Sequence, residues 1–344
     1  MPAHDPSPYS APSASPDSAF ARRRLLQGAG AAALWGAGLP AAWAQNRAAG
    51  LAGTTLRVAT YKGNWRALLQ AAGLANTPYK IEWKELNNGV LHIEALNGDA
   101  LDLGSGSEIP PVFAARSQAK VKLIAVVHED LNNQVTLARK DTAIQSIADL
   151  KGKRVGYVRA TTAHYFLAKQ LAEVGLGFND IQAISLAPAD GLSAFVRGDL
   201  DAWAIYGYNG QIARLQQGAR VLKTGVGYLS GNFPVYANPN ALNDLQRSAA
   251  IADYLVRLKQ AYAWANGQFL DYAKAQSAET RTPVGDLVEL FNRRSHDYSL
   301  GPVTPKVVAG HQDVADTFLK LGVLDGPAKV APLWDTRFDK VLCG

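Results

Sequence analysis

Sulfur is scarce in this 344-residue chain, which has one cysteine and one methionine. Because Cys343 has no partner in the chain, an intramolecular disulfide and a paired-cysteine metal or redox site are both excluded. Runs of five Lys or Arg residues are also absent, and the net charge is only +6, so nucleic-acid binding has little support. A hydrophobic share of 48% and a charged share of 19% exclude wholesale disorder, collagen and coiled coil.

The first 44 residues resemble an export signal rather than part of the fold. Residues 1–20 are rich in Pro, Ser and Ala and have too few large apolar side chains to order themselves. Arg22-Arg23-Arg24 then precedes an uncharged stretch of 22 residues, in which Ala42-Trp43-Ala44 has the pattern of a cleavage site. The pattern is similar to a twin-arginine signal and predicts export to the periplasm with cleavage after Ala44. A retained anchor is the alternative, since 22 residues can span a bilayer.

A strand, a loop and a helix follow one another twice, about a hundred residues apart. In the first unit, residues 56–61 alternate like a strand, Lys62-Gly63-Asn64 breaks the pattern, and residues 65–72 are predicted to be helical. In the second unit, a strand at 154–158 is followed by a loop and a helix at 164–174. The repetition predicts two similar α/β lobes rather than one long sheet.

Two connections must join such lobes, and residues 134–139 and 233–237 are candidates for the crossover strands. The predicted leader covers residues 1–44. The first lobe consists of residues 55–137 and 236–342, and the second lobe consists of residues 138–235. Open α/β sheets bind ligands beyond the carboxyl ends of their strands, so we expect the functional site in the cleft between the lobes.

The opening unit of each lobe is basic. No Asp or Glu occurs in residues 57–81 or 150–172, whereas these windows contain nine Lys and Arg residues, which favours an anionic ligand. The alternative is that windows as short as these lack acidic residues by chance. Glu108, which follows a Gly/Ser loop, counts against a purely basic cleft.

Residues Thr161, Thr162, Ala163 and His164 open the helix of the second lobe, and the nearest acid within that helix is Glu173. An ordinary helix often places an acid in its first turn, where it neutralises the free N–H groups. An oxyanion could instead accept hydrogen bonds from these amides and from the threonine hydroxyls. The alternative is that one threonine is a plain N-cap.

Weaker candidates for ligand contacts are two loops and two aromatic residues: Lys62-Gly63-Asn64, Ser105-Gly106-Ser107, Tyr206 and Tyr208. Each has an equally simple structural explanation as a turn or as core packing. The histidines show no metal-ligand spacing, and no nucleophile motif is present, so we predict neither a metal, nor a cofactor, nor a catalytic residue.

Four segments in order carry a family resemblance, namely residues 149–156, 160–167, 186–190 and 198–203, and residues 304–324 extend it. They are similar to the substrate-binding proteins of sulfonate, nitrate and taurine ABC importers. The resemblance implies a two-lobed periplasmic binding protein of type II, with two doubly wound α/β lobes joined by two crossover strands. It also implies a monomer that captures a small sulfonate-like anion and delivers it to a permease with its ATPase.

The resemblance further implies roles for the candidate residues. Thr161, Thr162 and Ala163 would hold the anionic head, with His164 next to them, and the loops at 62–64 and 105–107 would supply contacts from the first lobe. One departure concerns residues 205–208, where relatives often have Trp-Asp-Pro-Tyr and this chain has Ile-Tyr-Gly-Tyr. The change removes an acid, so it leaves the identity of the ligand open.

Two other function classes are alternatives. Related two-lobed folds include a desulfinase and a thiamine-pyrimidine synthase, but we expect such enzymes to need a reactive Cys or a His/Cys-rich site, and no Cys precedes Cys343. The sensor lobe of a signalling receptor would need a retained membrane segment.

Overall fold

The computed structural model describes residues 50–343 of the chain. The strands are β1 Thr55–Thr60, β2 Lys80–Glu85, β3 Leu103–Ser105, β4 Lys122–His128, β5 Gln134–Ala138, β6 Arg154–Tyr157, β7 Gln182–Ser185, β8 Ala202–Tyr206, β9 Arg220–Thr224, β10 Asn232–Ala237 and β11 Ser299–Gly301. The helices are α1 Trp65–Ala71, α2 Gly89–Asn97, α3 Ile109–Ser117, α4 Thr162–Glu173, α5 Pro188–Arg197, α6 Gly207–Leu215, α7 Pro239–Asn243, α8 Leu245–Gly267, α9 Phe269–Thr280, α10 Val284–Asn292, α11 Pro305–Lys320 and α12 Asp339–Leu342. The strands and helices of the two predicted units agree with β1, α1, β6 and α4 within two residues.

These strands form two mixed sheets. The first has the order β11-β4-β10-β3-β1-β2, in which β1 runs parallel to β2 and β3 while β10 runs antiparallel to β3 and β4. The second has the order β7-β6-β8-β5-β9, in which β6 runs parallel to β7 and β8 and antiparallel β5 separates β8 from β9. Each sheet has its own hydrophobic core, so the chain forms the two α/β lobes expected from the repeat.

The chain passes between the sheets twice, at residues 129–133 and at residues 225–231. The sequence analysis places the connections at 134–139 and 233–237 instead. In the structure those residues form β5 of the second sheet and β10 of the first. Both predicted connections are therefore the first strands that the chain forms after it crosses to the other sheet. For that reason the predicted lobe bounds differ from the sheet boundaries by a few residues. An apolar strand pattern shows burial but does not show which sheet buries the strand.

An arginine and an aspartate link neighbouring strands at the same place in both sheets. Arg57 in β1 donates its backbone N–H to Asp102 at 2.8 Å, and its guanidinium binds the same carboxylate at 2.7 Å. Arg154 in β6 makes the equivalent bonds to Asp201, at 2.9 and 2.6 Å. The internal repeat therefore extends from the sequence to individual side-chain contacts.

The C-terminal helices complete the first lobe. Side chains of α8, among them Tyr254 and Leu258, pack in one core with Leu56 of β1 and Leu68 of α1. Within residues 50–343, no helix is both long enough and apolar enough to span a bilayer. The predicted export signal and its cleavage site lie outside the described residues.

Candidate functional site: the cleft between the lobes

A cavity of about 210 Å³ lies where loops of the two sheets meet. The carboxyl ends of β1, β3 and β8 open into it, as the rule for open α/β sheets predicts. Eight of the predicted ligand-binding residues line this cleft: Lys62, Asn64, Ser105, Gly106, Ser107, Thr161, Tyr206 and Tyr208. The other four, Gly63, Thr162, Ala163 and His164, are buried and do not form part of its wall.

The first turn of α4 has unoccupied donors. Thr161 precedes the helix in an extended conformation (φ −128°, ψ −179°), and its hydroxyl donates to the Val158 carbonyl at 2.7 Å instead of accepting a bond from the helix. The turn contains no acid, and within the described residues the N–H groups of Thr162 and Ala163 have no acceptor. The plain N-cap alternative therefore does not fit Thr161, and these amides have no partner among the described residues.

Thr162 acts on the cleft through another residue. Its buried hydroxyl donates to Oε1 of Gln134 at 2.7 Å, and Gln134 lines the cleft at the start of β5. Because that bond engages the amide oxygen of Gln134, the amide NH₂ is left as a donor. The sequence analysis missed Gln134, since a single glutamine at the start of an apolar strand carries no signal of its own.

His164 supports the loop that precedes α4 rather than lining the cleft. Its Nδ1 accepts the N–H of Ala160 at 3.3 Å, and burial, with a smaller contribution from Arg159, lowers its pKa to about 4. Ala160 has a φ of +56°, which is uncommon for a residue with a side chain. The neutral imidazole thus helps to hold a strained backbone beside Thr161. Its ring packs against Tyr157, Phe178 and Phe318.

In the first lobe, the carboxylate of Glu279 binds the loop at residues 62–64. The N–H of Gly63 donates to the Glu279 carboxylate at 2.7 Å, and Arg66 binds the same carboxylate at 3.0 Å. A side chain at Gly63 would meet Thr280 at 2.8 Å, and its φ of +71° also requires glycine. Lys62 is exposed and remains at the cleft.

The loop at residues 105–107 is held by two tyrosines, of which Tyr236 is buried and Tyr61 is half-buried. The Tyr61 hydroxyl donates to the Ser105 carbonyl at 3.1 Å, and the Tyr236 hydroxyl donates to the Ser107 carbonyl. A Cβ at Gly106 would lie 2.6 Å from the Tyr236 hydroxyl oxygen. Only glycine permits this approach, so a larger residue at position 106 would displace Tyr236 or the loop.

Four of the nine cations of the two acid-free windows are paired with acids that lie outside those windows. Besides the two Arg–Asp pairs described above, Arg66 binds Glu279 and Lys80 binds Glu82. Among the described residues that line the cleft, only Lys62 and Glu129 are charged. The windows therefore overstate the positive charge of the site. Residues 50–343 contain no group of three or more His, Cys, Asp or Glu side chains arranged to hold a metal ion.

An aromatic wall closes the first-lobe side of the cleft. Tyr262 and Tyr298 have ring centroids 6.1 Å apart, Tyr298 meets Phe291 edge-on at 6.3 Å, and Phe291 lies 5.4 Å from Tyr272. All four rings line the cleft, next to Glu129. The sequence analysis missed these residues because they come from α8, α9, α10 and the segment before β11, which it assigned to a helical remainder.

Both sides of the cleft are bridged by contacts between the lobes. On one side, Gln211 of α6 donates to the Asp286 carbonyl at 2.8 Å, and Arg214 pairs with Glu289 of α10. On the other side, Tyr165 of α4 meets Phe318 of α11 edge-on at a centroid distance of 5.0 Å. The structure therefore has the lobes in contact around the cavity.

Comparison with known proteins yields one consistent family. Residues 70–236 match the family model described as NMT1/THI5 like. A putative aliphatic sulfonates-binding protein of Escherichia coli is 34% identical over 70% of this chain and 74% of that protein. A putative aliphatic sulfonates-binding protein of Bacillus subtilis is 29% identical over 83% of both chains.

Solved structures agree with the sequence relatives. The alkanesulfonate-binding protein SsuA from Xanthomonas axonopodis pv. citri, bound to MOPS, is similar with a TM-score of 0.74 and 27% identity over 83% of this chain and 99% of that one. The periplasmic aliphatic sulphonate binding protein SsuA of Escherichia coli has a TM-score of 0.70 and 29% identity over 80% and 90%. The desulfurization enzyme DSZB shares the fold at 17% identity and a TM-score of 0.57.

The predicted type II fold of two α/β lobes is confirmed by these structures, and the relatives at 27–34% identity described above are named as binding proteins. The family resemblance read from the ordered motifs is confirmed as well. The chain therefore belongs to the family of periplasmic substrate-binding proteins that includes the aliphatic sulfonate-binding proteins.

Proposed function

We propose that the protein captures a small organic sulfonate or a related oxyanion in the cleft and delivers it to the permease and ATPase of an ABC importer. The observation that carries this proposal is the start of α4, where the N–H groups of Thr162 and Ala163 have no acceptor and no acid occupies the first turn. The relatives named as sulfonate-binding proteins support the same ligand class.

The donors around that helix start match a sulfonate, which has three oxygens and one negative charge. Two oxygens would accept the N–H groups of Thr162 and Ala163, and the Gln134 amide that Thr162 orients would reach a third. Each charge-assisted bond of this kind contributes about 1.5–3 kcal/mol. Lys62 lies across the cleft and adds a cation at its edge. Contact between the lobes around the ligand would give the permease a state to recognise.

Calorimetry tests the ligand class directly. The purified protein, without its leader, is titrated with alkanesulfonates of increasing length, taurine, an aromatic sulfonate and nitrate. We expect saturable binding of at least one sulfonate with one site per chain. Failure of every one of these compounds to bind would overturn the proposal.

We further infer that the protein does no chemistry on its ligand. The described residues that line the cleft include no Cys and no His, and the chain's one cysteine is exposed near its end. Because an enzyme with this fold has been solved with biphenyl-2-sulfinic acid, that compound is the appropriate challenge. We expect no release of sulfite on prolonged incubation; turnover would make the desulfinase alternative the better one.

Export and assembly complete the proposal. We infer a periplasmic monomer, exported through the twin-arginine route and cleaved after Ala44. Edman sequencing of the protein from the periplasm is expected to begin at Gln45, and its mass in solution is expected to be that of one chain. An uncleaved N-terminus would favour the anchored form.

A further inference from the structure

One acid in the wall of the cleft has no partner. Glu129 directly follows β4, lines the cavity and keeps part of its surface accessible. Within residues 50–343, neither a side chain nor a backbone amide donates a hydrogen bond to this carboxylate, and neither a lysine nor an arginine forms an ion pair with it. Other acids close to the cleft do have partners, for example Glu279 with Gly63 and Arg66.

Strand pairing fixes the position of Glu129. His128, the last residue of β4, pairs in antiparallel register with the first residues of β10 and β11. Glu129 therefore lies opposite Gly231 and Tyr298, and its N–H donates to the Gly231 carbonyl at 3.0 Å. Because opposite residues of antiparallel strands point to the same face, its strand neighbours supply a glycine and an aromatic ring to that face. Neither of them brings a positive charge.

The ionisable groups around Glu129 are acids and phenols. Asp130 follows it in the chain, but the Asp130 carboxylate already accepts three backbone N–H groups. Five tyrosines come from the elements packed against it: Tyr61 after β1, Tyr236 of β10, Tyr262 of α8, Tyr272 of α9 and Tyr298 before β11. Burial raises the pKa of all five tyrosines, so their rings stay neutral near pH 7. Lys62, the one cation of the cleft wall among the described residues, is not paired with Glu129.

A charged carboxylate at this position conflicts with an anionic ligand. Burial, together with the neighbouring Asp130, raises the pKa of Glu129 to about 7, so near neutral pH this acid is divided between its charged and neutral forms. Because the cavity holds about 210 Å³, an anion anywhere in it lies within roughly 10 Å of the carboxylate. At that distance in a partly buried site, the repulsion between two negative charges lowers affinity about tenfold. The repulsion disappears when the carboxylate carries a proton.

We propose that Glu129 takes up a proton when the anionic ligand enters the cleft, so that the protein binds its ligand together with a proton. This proposal rests on the proposed function, because it takes the cleft as the site of the anion, and it adds the regulation of that site. The bound anion disfavours the charged carboxylate, so the complex holds more protons than the free protein. Affinity should therefore be highest at acidic pH and should fall as the pH rises.

Calorimetry between pH 6 and pH 9 tests the pH dependence. The probes are the unbranched alkanesulfonates from ethanesulfonate to pentanesulfonate, because the sulfonate group stays ionised throughout this range and the tail has no titratable group. We expect the affinity of the probe that binds most tightly to fall about tenfold from pH 6 to pH 9. Buffers that contain a sulfonate are avoided, since a related protein was solved with MOPS bound.

Titrations in two buffers measure the proton uptake directly. The same probe is titrated at about pH 7.5 in Tris and in bicine, which differ in their heats of ionisation. The difference between the observed enthalpies gives the number of protons bound with each ligand. We expect about half a proton, because the carboxylate is already partly protonated before the anion binds. A value of zero, or a release of protons, would overturn the proposal.

The variant Glu129→Gln assigns the pH dependence to this carboxylate. Its affinity should match that of the wild type at pH 6 within about twofold and stay at that level up to pH 9, because glutamine resembles the protonated acid. Glu129→Asp retains a carboxylate and should keep a fall in affinity with pH. Glu82→Gln is the matched control, since it removes the same charge from an exposed residue of β2, and it should behave as the wild type. Circular dichroism confirms that the variants are folded.

The outcomes separate the two proposals. Affinity that stays constant from pH 6 to pH 9, or that rises with pH, overturns the proton uptake while the sulfonate-binding function stands. A fall that persists in Glu129→Gln overturns the assignment to Glu129. If neither these sulfonates nor the other anions of the calorimetric series bind at any of these pH values, the proposed function fails, and the proton uptake fails with it.

Discussion

The two lobes begin with the same strand, loop and helix, but within the described residues only the first lobe has an acid bound at that loop. In the first lobe, Glu279 accepts the N–H of Gly63 and binds Arg66, so the protein supplies its own anion. In the second lobe, the start of α4 at Thr162 has no internal acid. The same scaffold therefore occurs twice, and we infer from the difference between the copies that the second lobe would bind the charged head of the proposed ligand.

The copies also differ in how deeply the strand-linking aspartate is buried. Asp102 has no exposed side-chain surface and binds Arg247 at 3.1 Å as well as Arg57. Asp201 keeps 21% of its side-chain surface exposed and pairs with Arg154 alone. The link in the first lobe is therefore the more deeply buried of the two and has one more arginine.

The largest effect on stability is expected at Asp102. Asp102→Ala leaves two arginines facing a buried gap and should lower the free energy of unfolding by about 3 kcal/mol or more. Asp201→Ala should cost clearly less, because its partner is more exposed to water. Urea denaturation of both variants measures the difference. Equal losses would show that the two links are energetically equivalent.

Thr161→Asp is expected to weaken binding the most. A carboxylate at the helix start would accept the amides that the ligand needs and would repel a sulfonate, so affinity should fall about a hundredfold. Thr304→Asp, at the N-cap of α11, is the matched control and should bind normally. Calorimetry compares the two variants. Unchanged affinity in Thr161→Asp would place the anion elsewhere.

The buried histidine of the second lobe should make stability depend on pH. His164 has a pKa near 4 in the fold and the ordinary value of 6.5 in the unfolded chain, so the unfolded state binds more protons between these values. Stability should therefore fall with decreasing pH, by about 2 kcal/mol from this group between pH 7 and pH 5. His164→Asn keeps an acceptor for Ala160 and should lack this contribution, as urea denaturation at the two pH values would show.

The comparison between wild type and His164→Asn isolates that group. Burial raises the pKa of Glu108 and of Glu129 to about 7, so these two acids act in the opposite direction and are present in both proteins. Their contributions to the pH dependence of stability are therefore the same in both proteins and cancel when the two proteins are compared. A difference that does not vary with pH would mean that His164 titrates normally in the fold.

The smallest effect is expected at the internal acid of the first lobe. Glu279→Gln should cost about 1 kcal/mol of stability, because its pair with Arg66 is partly exposed and water screens it. Affinity for the sulfonate should change less than threefold, since Lys62 remains at the cleft. A loss comparable to that of Thr161→Asp would show that the loop at 62–64 binds the anion, contrary to the comparison drawn above.

Local patterns in the sequence predict the fold and the loops of the site well. The repeat predicts both lobes, and the missing acid after Thr161 predicts the vacant helix start, because such features lie within a few consecutive residues. His164 shows the limit of that reasoning. Thr161, three residues before it, lines the cleft, but helical geometry directs the ring of His164 into the interior.

The remaining residues of the site depend on distant segments meeting in space. Glu279 comes to Gly63 across more than two hundred residues, and the aromatic wall comes from three helices and a loop. Gln134 and Glu129 lie at the cleft only because the chain crosses between sheets there. These contacts join segments that lie far apart in the sequence, so no local sequence pattern predicts them.

Glu129 and Gln134 stand at the two ends of the outbound crossing, residues 129–133. A molecule in contact with both would span the short segment that connects the two sheets. Ligand binding would then be coupled to the angle between the two lobes.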